Sequence, residues 1–261
     1  MFFHHFCFSL WRILEERIIL NLIIEQGNTA TKVAVFNYEE MLVSSVYESF
    51  QVSDLIPFLQ KYPIEKGIMS TVAAHDDELI AFLKSNLRYF VCLNEQLRLP
   101  VTIQYDTPQT LGKDRVAAVV GAQFLQPGRD VLVIDAGTAI TYDMLEASGV
   151  FIGGNISPGM TMRFRSLNQF TKRLPMVKEQ GNIPFLGTST DSAILAGVVN
   201  GIVYEMDAYI TELREKYPDI FIFLTGGHSF YFERRLKNSI FAAINLVLIG
   251  LNRILEYNVE N

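Results

Sequence analysis

A chain of 261 residues with 49% apolar and 19% charged side chains has the material for one large or two ordinary cores, and a compact globular protein is expected. Its formal charge of −6, with no dense run of Lys or Arg, argues against nucleic acid as the main partner, because such binding rests on neutralising phosphates. Cys7 and Cys92 are the only cysteines and lack metal-ligand spacing, which fits a reducing cytoplasm better than a disulfide scaffold.

Residues 1–20 (MFFHHFCFSLWRILEERIIL) are apolar and aromatic at first, but Arg12, Glu15, Glu16 and Arg17 interrupt them. With no basic n-region and no small-residue cleavage site, a signal peptide is not expected. A start assigned too far upstream is preferred over a true helical extension. No run of about 20 uninterrupted apolar residues follows, and even Ile240 to Leu251 contains Asn245, so no membrane partner is expected.

From Asn21 onward a short pattern occurs twice, as Ile23-Ile24-Glu25-Gln26-Gly27-Asn28-Thr29 and as Val133-Ile134-Asp135-Ala136-Gly137-Thr138. Each is an apolar run ending in a carboxylate, then Gly and Thr, then a returning run, Lys32 to Phe36 or Ile140 to Leu145. Each reads as a β-hairpin whose Gly permits positive φ and lets backbone N–H groups approach a ligand, with the carboxylate and Thr hydroxyl free to serve phosphate and hydrated metal. One copy alone reads as an ordinary turn; two copies in the same order suggest two related halves facing one nucleotide.

Between the copies, Met41 to Val46 reads as a strand, Leu55 to Lys61 as a short helix, Gly67 to Val72 as a strand, and Asp76 to Asn86 as an amphipathic helix with Leu79, Phe82 and Leu83 on one face. Arg115 to Phe124 makes a helix ended by Pro127-Gly128, where a hinge divides 21–128 from 129–261. The second half then has strands at Val131 to Asp135, Thr141 to Leu145 and Phe151 to Ile156, followed by a Pro158-Gly159 loop and a helix. A long helix from Ser189 to Tyr217 comes next, capped at Ser189, Thr190 or Asp191. Ile220 to Leu224 reads as a buried strand and Ile240 to Glu256 as a buried helix.

Further stretches carry candidate chemistry. Lys32, three positions past Thr29, can remain solvated or reach phosphate as a point charge. In Tyr105 to Arg115, Asp114 balances a helix dipole in the plain reading; beside Arg115, on a loop held by Pro108 and Gly112, it can also accept a hydroxyl proton while Arg115 binds an anionic group. Gly153 to Gly159 and Thr225-Gly226-Gly227 are tight turns or flat backbone against a nucleoside, in equal measure. His4, His5 and His75 have no partners at ligand spacing, so no zinc or triad chemistry is assigned.

Glu25 to Lys32, the Gly112-Lys113-Asp114-Arg115 loop with Tyr105 and Pro108 upstream, Asp135 to Ala139, Gly153 to Gly159 and Gly187 to Thr190 together resemble the ordered motif set of type III pantothenate kinase, from about Asn21 to the C-terminus. The resemblance implies an α/β fold of two duplicated ribonuclease-H-like halves, as in actin, sugar kinases and heat-shock ATPases, with mixed sheets flanked by helices. It implies phosphorylation of pantothenate to 4'-phosphopantothenate, the first step toward coenzyme A, in a cytoplasmic homodimer. By resemblance, Asp114 is the base, and Tyr105, Gly112, Lys113, Asp114, Arg115 and Thr190 form the pantothenate site. Glu25, Gln26, Gly27, Asn28, Thr29, Ala30, Thr31, Lys32 and Thr138 hold ATP, Asp135 holds a monovalent cation (K⁺ or NH₄⁺), and Mg²⁺ accompanies the nucleotide, with Glu25 as its candidate ligand.

One departure is Glu25, where the family pattern carries Asp. The extra methylene moves the carboxylate by roughly 1.5 Å, which turns direct metal contact into water-mediated contact or the reverse. Two rivals follow from the same fold: a non-catalytic transcription-accessory or pantothenate-binding regulator, which predicts loss of the base or phosphate hairpin, and a superfamily kinase acting on a sugar or acetate. Asp114, Arg115, Lys32 and Asp135 are all present, so the enzyme reading is preferred.

Overall fold

Residues 19–72 and 76–259 are described by the computed structural model. The expectations for residues 1–18, for Cys7 and for His4, His5 and His75 therefore lie outside the described residues. Strands β1 (Leu20–Gln26), β2 (Thr31–Asn37), β3 (Glu40–Tyr47), β4 (Ile64–Thr71) and β5 (Tyr89–Cys92) form one sheet in the order β3-β2-β1-β4-β5. The second sheet has β6 (Thr102–Ile103), β7 (Val131–Ala136), β8 (Ala139–Leu145), β9 (Val150–Pro158), β10 (Phe221–Thr225) and β11 (Phe241–Ala242) in the order β11-β10-β7-β8-β9-β6.

Without β6, the two sheets follow one path. The first three strands of each are antiparallel neighbours, and the next two add in parallel on the far side of the first. Two such mixed sheets flanked by helices make the two related halves that the repeated hairpin suggested and the two-lobed ribonuclease-H-like fold that the family resemblance implied.

Apolar pattern explains the layering. In β1, Leu22, Ile23 and Ile24 are all fully buried, as expected of a central strand covered on both faces. Ile23 faces the core shared with α3 (Lys113–Leu125) and α7 (Leu246–Val259), whereas Leu22 and Ile24 pack with Phe58 of α1 (Ile56–Lys61) and Leu79 and Leu83 of α2 (Asp77–Asn86). α3 and α7 also meet Val131, Val133 and Phe223, so this helix pair fills the space between the sheets. On the outer face of the second sheet lie α4 (Met160–Phe170) and α5 (Thr190–Lys216).

The chain crosses the sequence boundary at 128/129 twice. β6, which precedes it, pairs with β9 of the second sheet, and α7 returns to the first half, where Asn21 Nδ2 donates to Asn252 Oδ1 at 2.8 Å and to Glu256 Oε1 at 2.6 Å. α3 and α7 approach so closely that a Cβ on Gly250 would fall on the Ala117 carbonyl and one on Gly121 on the Leu246 carbonyl. Gly250→Ala is accordingly expected to lower stability by about 2 kcal/mol through overpacking, read as a shifted urea midpoint at unchanged slope.

Some elements differ from the sequence reading. Ile240 to Glu256 is not one helix: Phe241–Ala242 is β11, paired in parallel with β10, and the helix begins at Leu246. With no Gly or Pro between Phe241 and Leu246, the apolar run does not mark the change locally; the adjacent strand decides it, Phe241 standing in register with Phe223, their rings 5.7 Å apart and edge-on. β5, β6 and α6 (Ser229–Glu233) have no counterpart in the sequence reading: β5 and β6 are short and gain their ladder bonds only from distant chain, and α6 is little more than one turn, with Phe232 N donating to His228 O. α5 passes a length and composition test for crossing a membrane, yet Val199, Ile202, Met206 and Ile210 are fully buried in the core of the second half.

Candidate active site

Each hairpin tip is closed by one backbone bond. Gly27 N donates to Ala30 O and Gly137 N to Ala139 O, both at 3.0 Å. Neither glycine has positive φ, which corrects the reason given for them from sequence. Their role is spatial: a Cβ on Gly137 would stand 3.2 Å from Asp135 Oδ1, and one on Gly27 3.3 Å from Ala30 O. The tips meet, with Thr29 Oγ1 and Thr138 Oγ1 3.0 Å apart across 109 residues of sequence. Gly159 lies under the second tip and donates its N–H to Thr138 O, and a Cβ there would come within 2.5 Å of Gly137 O.

Below the tips the carboxylates collect. Glu25 pairs with Lys32 across the first hairpin, Oε2 to Nζ 3.0 Å. Asp135, the penultimate residue of β7, is in register with Thr225 of β10. The following turn folds back over it: Gly226 has φ +90°, its missing Cβ leaves room for Asp135 Oδ1, and His228 N donates to Ala136 O at 3.0 Å. The Thr225-Gly226-Gly227 stretch is thus a close cover on Asp135. Burial pushes the Asp135 carboxyl up to about 7; Lys32 opposes this, and the charges of Glu25, Asp114 and Asp143 add to it.

Asp114 arrives from the other lobe boundary. It is the second residue of α3, part-buried, and its Oδ1 accepts from Arg115 N at 2.9 Å. Gly112 gives it space, since a Cβ there would stand 2.5 Å from Asp114 Oδ1. Arg115 is buried and donates from Nε and Nη2 to Asp143 Oδ1 at 2.8 and 2.5 Å, with its guanidinium 5.8 Å from the Tyr105 ring. Burial works against the Arg115 charge, and the bond and charge of Asp143, helped by Tyr105, outweigh it, so the guanidinium titrates above its ordinary value.

The structure therefore brings Glu25, Lys32, Asp114, Asp135 and Thr138 into one electrostatic neighbourhood and joins Tyr105 to Arg115. Thr190 is exposed at the start of α5, and no hydrogen bond among the described residues ties it to the Tyr105–Arg115 stretch. Sequence reading missed two groups. One is Asp143; its signal was a carboxylate in an otherwise apolar strand. The other is the Tyr142–Glu205–Arg163 chain, in which Tyr142 Oη donates to Glu205 Oε1 at 2.8 Å and Arg163 Nη2 to Glu205 Oε2 at 2.6 Å. Neither has a local spacing that announces it.

The two mixed sheets and the paired hairpin tips define a two-lobed ribonuclease-H-like protein, the fold class of actin and the sugar kinases. A Listeria monocytogenes N-acetylmannosamine kinase-like structure, Lmo2764, superimposes with a TM-score of 0.52 at 12% identity, covering 93% of this chain and 100% of that one. A Campylobacter jejuni protein described as a Baf family transcriptional activator gives 0.58 at 22% identity, with 92% and 100% covered. At those identities the likeness is one of fold.

Sequence comparison is more specific. The family model described as type III pantothenate kinase matches residues 21–212. A type III pantothenate kinase of Phocaeicola vulgatus is 49% identical over 240 residues, 92% of this chain and 99% of its own; one of Porphyromonas gingivalis is 42% identical over 242 residues, 92% and 99%. The chain belongs to the type III pantothenate kinase family.

Proposed function

We propose that this chain transfers the γ-phosphoryl group of ATP to the primary hydroxyl of pantothenate, giving 4'-phosphopantothenate and ADP on the way to coenzyme A. The observation that carries the reading is the contact of the two hairpin tips at Thr29 and Thr138, with Asp114 and Asp135 in the same electrostatic field. Glu25 to Lys32 and Thr138 hold the phosphates; Tyr105, Gly112, Lys113, Asp114, Arg115 and Thr190 hold pantothenate.

ATP supplies the phosphoryl group, and Mg²⁺ and a monovalent cation supply positive charge to it and to Asp135. Among the described residues no group of three or more His, Cys, Asp or Glu is arranged to hold a metal alone. That fits Mg²⁺, which keeps waters and takes phosphate oxygens, with Glu25 as a single protein ligand. The desolvated Asp135 carboxyl, under its glycine cover, fits K⁺ or NH₄⁺, which would restore the charge balance that burial disturbs.

The protein's own part is to place hydroxyl and phosphoryl group in line and to balance charge, because a loose phosphoryl-transfer transition state asks for little else. Asp114 orients the hydroxyl and takes its proton late. Lys32, paired with Glu25 and close enough to act on the charge of Asp135, provides a point charge. The use of ATP and the sparse cysteine content support a cytoplasmic location. A homodimer is supported by exposed apolar side chains in the second half, among them Tyr204 on α5, Phe170 on α4, and Phe185 and Leu186 just before α5.

A coupled ADP-release assay with ATP, Mg²⁺ and pantothenate, with and without K⁺ or NH₄⁺, tests the reading on a sample whose mass is fixed by sedimentation velocity. Turnover that needs both pantothenate and the cation, from a dimer, is the expected result. A folded protein inert in every ion would leave the regulator as the better reading.

A further inference from the structure

Asp143 belongs to none of the motifs singled out from the sequence, yet it stands between two of them, in register with Val133 on β7 and Gly154 on β9, and joins the two sides of the site. β8 leaves the second hairpin tip, and successive side chains point to opposite faces, so Tyr142 goes to α5 and Asp143 to α3. The Asp143 side chain is fully buried and Arg115 is 5% exposed, and both Arg115 donors fall on the single oxygen Oδ1. Tyr105 and Phe151 pack on each other with ring centres 6.1 Å apart, and each ring centre lies 5.8 Å from the guanidinium carbon.

The backbone has been cleared for this pair. Gly154 lies opposite Asp143 in the β8–β9 register, and a Cβ there would come 2.6 Å from Asp143 Oδ1 and 2.9 Å from Arg115 Nη2. A buried ion pair adds little net stability compared with an apolar filling, so stability is a poor reason for its presence. Geometry is a better one. The residue it fixes, Arg115, donates its backbone N–H to the Asp114 carboxylate at 2.9 Å and lies in the first turn of the helix that carries the base.

We infer that Asp143 is a positioning residue for the acceptor: by holding the Arg115 side chain against the second sheet it sets the Gly112–Arg115 loop, and with it Asp114, relative to the Thr138 hairpin tip on the same β8 strand. The inference rests on the kinase reading above. Removing its charge disturbs the acceptor side and leaves the nucleotide side intact, because Asp143 touches neither hairpin tip.

Asp143→Asn keeps the shape and removes the charge. Expected is a rise in KM for pantothenate on the order of 10- to 100-fold, the loss associated with a charged hydrogen bond, while ADP affinity by calorimetry stays within about twofold. Combined with Arg115→Lys, the double variant should be no worse than the poorer single one, since the pair acts as a unit. Equal loss of pantothenate and ADP binding would overturn the inference and leave a merely structural pair.

If Asp143→Asn does not fold, nitrogen-15 NMR on the wild-type protein decides. The Arg115 Nε–H resonance should shift on adding pantothenate and hold still on adding ADP; a resonance indifferent to pantothenate overturns the inference. Wild-type protein without pantothenate turnover fails the kinase reading itself, whereas normal wild-type turnover with matched losses in the variant fails the Asp143 role alone.

Discussion

Asp114→Asn is expected to lower kcat for pantothenate phosphorylation by about 10²- to 10⁴-fold, the span usual for loss of a positioned general base. The substitution isolates proton acceptance. An amide oxygen can still accept from Arg115 N, which now bonds Asp114 Oδ1 at 2.9 Å, and the space beside Gly112 is unchanged, so the start of α3 should keep its shape. KM for ATP should stay within about twofold, because the proposed phosphate site lies at the hairpin tips and not on α3. The helix loses a favourable acidic residue in its first turn, worth about 0.3–1 kcal/mol, so the melting temperature should fall only slightly. The check is steady-state kinetics with a pH profile. A variant within about threefold of wild type in kcat would remove Asp114 from the proton's path and leave it as the helix-terminal charge of the plain reading.

How far the site was legible can be seen from the residues that meet. The repeated carboxylate-Gly-Thr order pointed to paired hairpins, because a hairpin is a local object whose turn chemistry is written in a few adjacent residues. The contact of Thr29 with Thr138 then follows from duplication. The N-cap of α5 was equally local: Ser189 accepts from Ser192 N as its position suggested. What stayed hidden is non-local. Nothing near Asp143 tells that its partner is Arg115, 28 residues earlier, and nothing near Glu256 tells that it will close on Asn21 and Lys66 of the other lobe. β11 was hidden likewise, since its strand character comes from the edge of β10. Glycine was legible in place and not in reason. Gly27 and Gly137 were picked out for positive φ that they do not have, while Gly226, which does, closes over Asp135 through a turn read only as one of two possibilities.

Asp135 gives the second large effect, and it reads out in stability. Its carboxyl, buried and within reach of the charges of Glu25, Asp114 and Asp143, is pushed from the ordinary carboxylate range up to about 7, chiefly by burial. In the folded protein the group therefore keeps its proton over a range where the unfolded chain has lost it. Below the unfolded pKa both states are protonated and the group costs nothing. As pH rises from about 4 to about 7 the folded state binds more protons than the unfolded one, so stability falls, and above about 7 the penalty stays constant. Some three pKa units correspond to a penalty on the order of 4 kcal/mol. In a buffer with only bulky cations, unfolding midpoints should drop between pH 5 and pH 8, and Asp135→Asn should flatten that drop. Adding K⁺ or NH₄⁺ should restore the wild-type midpoint at pH 8 and do little at pH 5, because only the ionised carboxylate attracts the ion. The same addition should leave Asp135→Asn unmoved at both pH values. Denaturant titrations at the two pH values check all of this, and wild-type and variant profiles that run parallel, with or without the ion, would take the cation away from Asp135.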